Sequence, residues 1–251
     1  MKITVLGSGT SHGIPVIGCN CSVCKSNDPK DRRTRTSLWI TDDKTSILID
    51  TATEFRLQAI REGLECLDAV FLTHAHADHI HGLDDLRPLS WKKPIPVYGK
   101  EDTLEEIRSR FSYIFKKTQI GGGKPKILLR RIEEIPVTVA GLTVVPLPVF
   151  HGDMSINGYK IGKFAYITDC SMVPEETYEL LEGVEYLIIG ALRETPHATH
   201  FSIAQALEAA KRISPKRVYL THLSHEVSHS RVEEMTPPWA GPAWDGLTLE
   251  L

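Results

Sequence analysis

The apolar positions of this chain follow two rhythms. Short, nearly continuous apolar runs bounded by polar or turn residues read as buried strands: Lys2–Leu6, Ala69–Thr73, Ile95–Tyr98, Tyr186–Ile189 and Arg217–Thr221. Ser37–Thr41 and Ser46–Asp50 read as a hairpin around Asp42-Asp43-Lys44. Thr143–Val149, Gly158–Ile161 and Phe164–Thr168 read as further strands. Helical spacing governs Glu54–Glu62, with Gly63 as its C-terminal stop, and Asp102–Phe115. Pro174–Leu181 reads as a helix with proline in its first turn and Gly183 behind it. Ser202–Ile213 opens on Ser202-x-x-Gln205, a capping-box pattern. Hairpins come first, and strands later alternate with helices. That order predicts an α/β (α+β) fold of two face-to-face sheets with helices outside, a four-layer αββα sandwich. No repeat, long linker or low-complexity tract interrupts it, so residues 1–251 are expected to form a single domain. Lys116–Lys126, with Gly121-Gly122-Gly123 and four lysines, reads as a mobile loop, a candidate lid or specificity element.

Composition narrows the function. An apolar fraction of 41% and a charged fraction of 24% are ordinary for a soluble globular protein. The net charge of −3 gives no sign of a general nucleic-acid surface, so a small-molecule substrate is expected rather than large nucleic acid. No segment approaches the roughly 20 apolar residues of a membrane span. Met1–Gly7 runs straight into a strand with no signal-peptide core, which predicts a cytoplasmic protein. The pattern leaves the oligomeric state open, a homodimer being one option.

The strand at Ala69–Thr73 ends abruptly in His74-x-His76-x-Asp78-His79. His74 and His76 are two apart, so in extended chain they point the same way. Asp78 and His79 sit where the chain turns into a helix and aim at a neighbouring point. One segment thus supplies ligands to two ions a few ångströms apart, as dinuclear hydrolysis needs. His151, Asp169 and His222 each follow an apolar strand, and rigid strands ending at one edge can gather distant residues. Five cysteines include Cys19-x-Cys21-x2-Cys24, a spacing that favours metal over disulfides in a cytoplasmic chain. Cys66 and Cys170 read as small core residues. Asp50 ends a strand, where orienting a metal-bound imidazole and forming a turn are equally open readings. Asp84, Asp85 and Arg87 fit either a pocket mouth or a solvated helix face. His81 reads as a surface residue, and His12, His197 and His229 receive no role.

The series His74, His76, Asp78, His79, His151, Asp169, His222 resembles the full ligand set of the metallo-β-lactamase superfamily of hydrolases. That resemblance covers nearly the whole chain and implies the αββα sandwich. The opening Gly7-Ser8-Gly9-Thr10-Ser11-x-Gly13-x-Pro15, the cysteine cluster and Thr221-His222-Leu223-Ser224-His225 are similar to the PhnP-type cyclic phosphodiesterases associated with the carbon–phosphorus lyase pathway. The resemblance implies a dinuclear phosphodiesterase acting on a small, cyclic phosphodiester. His74, His76 and His151 would hold one divalent ion, and Asp78, His79 and His222 the other. Asp169 would bridge them, with a bridging hydroxide as nucleophile. The ions would be Mn²⁺ or Zn²⁺, since the ligand types suit both. Cys19, Cys21, Cys24 and His225 would hold a structural zinc, and His200 would protonate the leaving oxygen. The alternatives are another hydrolase of the fold (RNA 3′-end processing, thioester or lactone hydrolysis) and a non-catalytic, metal-stabilised scaffold. Two departures stand out: the Lys116–Lys126 loop matches no motif, and no long Gly/Pro arm of the tRNA-processing kind is present.

Overall fold

The computed structural model describes residues 1–117, 123–132 and 134–251. Gly121 and Gly122, in the loop expected to be mobile, lie outside them. The first half of the chain supplies β1 (Lys2–Gly7), β2 (Ser37–Thr41), β3 (Ser46–Ile49), β4 (Ala69–Phe71), β5 (Ile95–Gly99) and β6 (Ile127–Arg131). The second half supplies β7 (Val137–Val139), β8 (Leu142–His151), β9 (Met154–Ile161), β10 (Phe164–Ile167), β11 (Tyr186–Gly190), β12 (Arg217–Thr221), β13 (Ala240–Pro242) and β14 (Thr248–Glu250). Among the described residues these form two seven-stranded sheets, ordered β14-β1-β2-β3-β4-β5-β6 and β13-β12-β11-β10-β9-β8-β7.

Period-two alternation explains the layering. In β3, Ile47 and Ile49 enter a core shared with Tyr159, Phe164, Tyr166 and Ile188 of the other sheet. Leu48 points the opposite way, into a core with Phe55 and Ala59 of helix α1 (Phe55–Glu62). Across the second sheet, Ile188 faces inward, while Leu187 and Ile189 face outward onto Ile203, Ala206 and Val232. Strands buried on both faces read as continuous apolar runs, which is how the sequence shows them. Three stacked cores between four layers confirm the αββα sandwich. Among the described residues, no helix is long and apolar enough to cross a membrane.

Several boundaries differ from expectation. The helix expected over Asp102–Phe115 is two, α3 (Glu101–Arg110) and α4 (Ser112–Phe115), after the short α2 (Ala77–Ile80). Phe111 breaks it, at φ −107° and ψ 33°, outside helical geometry. Pro174 is the N-cap of α5 (Glu175–Leu180), not part of its first turn. β6, β7, β13 and β14 are absent from the sequence reading. β13 and β14 are three residues each and owe their conformation to pairing with β12 and β1. Cys170 is buried as expected, but Cys66 is exposed, because the neighbouring Leu67 takes the inward position before β4. The capping box at Ser202 is formed, opening α6 (Ile203–Ile213); α7 (His229–Met235) follows β12, where the apolar pattern predicts no helix.

Candidate metal centre

Parallel strands end at one edge of each sheet, and that edge gathers the polar residues. Asp50 follows β3, Thr73 and His74 follow β4, His151 ends β8, Asp169 follows β10 and His222 follows β12. Asp50, Asp169 and His222 sit in the left-handed region, with φ of 61°, 52° and 59°. Each turns the chain sharply as the strand stops. Asp and His tolerate this conformation better than β-branched residues would, and such strain concentrates at functional sites.

Two clusters result. Ligand-type atoms of His74, His76, His151 and Asp169 lie within 4.8 Å of one another, as do those of Asp78, His79, Asp169 and His222. Asp169 belongs to both. Its carboxylate lies 3.4 Å from His79 Nε2 and 3.1 Å from His222 Nε2, and Asp78 lies 3.3 Å from His79 Nε2. All these residues are buried except His76, which is exposed.

Hydrogen bonding fixes which nitrogen faces inward. His79 Nδ1–H donates to Asp50 at 2.7 Å. His74 Nδ1 pairs with Thr73 Oγ1 at 3.0 Å, and that hydroxyl donates to Asp50 at 2.8 Å. His151 Nδ1–H donates to the Thr199 carbonyl at 2.7 Å. Three imidazoles are thereby left with Nε2 toward the centre, the arrangement in which a carboxylate or carbonyl orients a metal-binding ring. Of the two readings open for Asp50, the orienting one is what the geometry supports. The sequence pattern singles out neither Thr73 nor Thr199. Thr73 precedes the motif and carried a weak signal; Thr199 acts through its backbone and carried none.

The fit to cations rests on unmet valence. The Nε2 atoms of His74, His79 and His222 are buried and make no well-aligned hydrogen bond among the described residues, although carboxylate oxygens stand 3.3 Å and 3.1 Å from the last two. Burial lowers the His79 and His222 imidazoles, but Asp169 and Asp78 outweigh it. They lift His79 well above its ordinary value and His222 to about 9. Burial would raise Asp169, yet His222 and His79 hold it well below the usual carboxylate range. Protons therefore stand where divalent cations would compensate the buried carboxylates. The donor set, imidazole and carboxylate, suits Mn²⁺ or Zn²⁺.

A second constellation lies nearby in sequence but apart in chemistry. Cys19, Cys21 and Cys24 Sγ lie 3.3, 3.5 and 3.5 Å from His225 Nδ1. Zn–S bonds of about 2.3 Å and Zn–N bonds of about 2.0 Å in a tetrahedron require S···N edges of about 3.5 Å. These four side chains therefore fit one tetrahedral zinc.

His200 stands beside both clusters, its ring 4.5 Å from His151 and 4.9 Å from His222, nearly parallel to the latter. Burial and then His222 pull it down to about 3, so it is neutral at pH 7 before any anion binds. His197 is exposed, with its ring 5.2 Å away. Arg87 is committed to Asp84 and to the Gly123 carbonyl, and Tyr113 donates to Asp84. His81 is exposed.

A family profile described as "Beta-lactamase superfamily domain" matches residues 45–223. A crystal structure described as a new diphosphatase from the PhnP family is 41% identical. The match covers 99% of this chain and 96% of that one, with a TM-score of 0.93. The chain belongs to the PhnP family of the β-lactamase superfamily. This PhnP-family chain is also 43% identical to a Porphyromonas gingivalis protein named octanoyltransferase, over 98% of its own length and 51% of that protein's. It thus spans about half the length of that curated relative. Zn(2+)-bound PqqB from Methylobacterium extorquens shares the fold at 21% identity, full coverage of both chains and a TM-score of 0.81.

Proposed function

We propose that this PhnP-family hydrolase is a dinuclear metal-dependent phosphodiesterase acting on a small, cyclic phosphodiester. The observation that carries the reading is the pair of adjoining acid–imidazole clusters sharing one buried carboxylate, Asp169. His74, His76 and His151 would hold one ion, Asp78, His79 and His222 the other, with Asp169 between them. Two divalent ions there would supply a water nucleophile of lowered pKa and neutralise charge on the phosphoryl oxygens. Asp50 and Thr73 hold the His79 and His74 rings in orientation. Asp78 and Asp169 keep their negative charge at neutral pH, because neighbouring imidazoles outweigh burial.

His200 is the proton donor to the leaving oxygen. An anionic diester brought against its ring supplies the opposite charge that burial lacks, and raises its proton affinity. The small, cyclic substrate rests on the motif resemblance at Gly7–Pro15; the PhnP-family structural relative, described as a diphosphatase, supports hydrolysis at phosphorus and not the cyclic ester itself. The octanoyltransferase name belongs to a protein of which this chain covers about half, and the clusters here support hydrolysis instead.

The test loads the protein with Mn²⁺ or Zn²⁺ and assays bis-p-nitrophenyl phosphate, a 2′,3′-cyclic nucleotide and a thioester. Turnover of the diesters and little of the thioester is expected. Absence of turnover on every diester would sink the proposal.

A further inference from the structure

Cations are unevenly placed along this chain. Residues 86–100 and 107–132 contain no Asp or Glu, although the net charge is −3. Pairing brings parts of the two stretches together. β5 and β6 run parallel from Ile95 opposite Ile127, and the Lys126 N–H donates to Ser90 Oγ at 2.9 Å. Beside this junction opens a cavity of about 400 Å³, lined by Trp91, Ile114, Phe115, Lys124, Pro125 and Lys126. Trp91 is 67% exposed and Phe115 44%, whereas the other three tryptophans are half-buried.

Most of the lysines around this cavity have no carboxylate within ion-pair distance among the described residues; the nearby acid Asp84 is engaged by Arg87 and Tyr113. Lys124 donates to the Tyr113 and Lys116 carbonyls, and Lys126 to the Trp91 carbonyl; all are neutral acceptors. Lys92 and Lys93 follow Trp91 in the chain, Lys116 and Lys117 follow Phe115, and all four are exposed. Among the described residues, Lys93 alone of these six lysines has a carboxylate within ion-pair distance, Asp68 at 2.9 Å. A solvated lysine face with buried aromatics would need no ligand. Here two large rings lie open at a concave site whose wall carries Lys124 and Lys126, with four further exposed lysines next to the rings in the chain.

We propose that this face binds single-stranded nucleic acid, Trp91 and Phe115 stacking on bases while the lysines follow the phosphates. Every base offers a π-face, and a cationic groove with aromatic platforms holds single strands without reading their sequence. Concavity favours a base over a bilayer, which is met by projecting apolar groups. The whole-chain charge predicts no such surface, but the field that a ligand meets is local. The face lies at the N-terminal ends of β5 and β6, whereas the metal cluster lies at the C-terminal ends of the parallel strands. About 15 Å of strand separates them, so binding is measurable without turnover and does not rest on the hydrolase reading.

The experiment titrates the full chain with short oligouridylate and oligothymidylate at about 50 mM salt, where phosphate contacts are strong. It follows tryptophan fluorescence and the anisotropy of a labelled oligonucleotide. Saturable quenching is expected, with affinity falling steeply as salt rises. Trp91→Ala should weaken binding about tenfold by anisotropy. Lys92→Glu combined with Lys117→Glu, both at exposed positions, should weaken it about tenfold or more. Turnover of a small diester should not change in either variant. Lack of saturation at low salt, or an affinity indifferent to both variants, overturns the proposal. So does quenching by phosphatidylserine vesicles where oligonucleotides give none.

Discussion

Asp50 shows how much one buried side chain governs here. It accepts hydrogen bonds from the Thr73 amide, the Thr73 hydroxyl and His79 Nδ1, and so orients rings belonging to both clusters. Asp50→Asn should cost about 10–100-fold in active-site metal affinity, the range typical of groups that orient ligands, read by calorimetric titration with Mn²⁺. Unchanged affinity would remove Asp50 from the site. Proton linkage gives a second residue-scale prediction. His222 is raised to about 9 in the metal-free fold, so at pH 7 it carries a proton that metal binding must displace. A raised imidazole stabilises the metal-free fold fully below its unfolded value near 6.5, and that stabilisation is lost as pH climbs through about 9. Metal-free protein should therefore lose thermal stability between about pH 6.5 and 9, and metal titrations at pH 7 should release protons into the buffer. For His200→Ala, alkyl diesters should slow by about 10²-fold or more, and p-nitrophenyl diesters much less, because p-nitrophenolate leaves unaided. Equal slowing of both would refute its role as acid.

At the scale of elements, tight backbone contact places the ligands. Helix α2 carries Asp78 and His79, and its continuation lies against the turn after Asp50: the Gly82 N–H donates to the Thr51 carbonyl, and the Thr51 N–H to the His79 carbonyl. A Cβ on Gly82 would stand 2.2 Å from the Ala52 carbonyl oxygen and 2.7 Å from Phe55 Cβ. Neither neighbour is the loose end of a side chain. Gly82→Ala should therefore push α2 outward, costing about 1–3 kcal/mol of stability and weakening the Asp78–His79–His222 site together with it. Thermal unfolding and metal content should move in step; an unaltered melting temperature would show that the contact relaxes freely. The loop leading into α6 works differently. The reciprocal Ser202–Gln205 bonds fix the helix start, and the preceding Thr199 carbonyl reaches His151, so His200 is held by both.

Across the whole molecule, the cysteine site joins the beginning of the chain to its end. Cys19, Cys21 and Cys24 meet His225, while the Leu223 N–H donates to the Ser8 carbonyl and the Thr10 N–H to the Leu223 carbonyl. His222 and His225 are three residues apart and face different centres. Cys21→Ser should lose one equivalent of zinc and lower the melting temperature, while active-site metal largely persists. Unchanged zinc content would contradict the tetrahedral site.

Local pattern along the chain is enough to read the layers and the candidate ligand set. Apolar runs of strand length, buried on both faces, left the chain few ways to hide them other than stacked sheets under helices. His74-x-His76-x-Asp78-His79 states its chemistry within six residues, because extended chain and a helix start fix where neighbouring side chains point. What depends on contacts between distant segments is settled by the fold. Asp50 became an orienting group rather than a turn residue because β3 and β4 pair in parallel, which sets it against Thr73 and His79. β13 and β14 are strands because β12 and β1 offer open edges, and three residues carry no periodicity to announce it. The lysines near Trp91 vanish into a net charge of −3 until β5 and β6 bring them around one cavity. Local pattern is written in the chain; the partners of a buried carbonyl, carboxylate or cation are chosen by the fold.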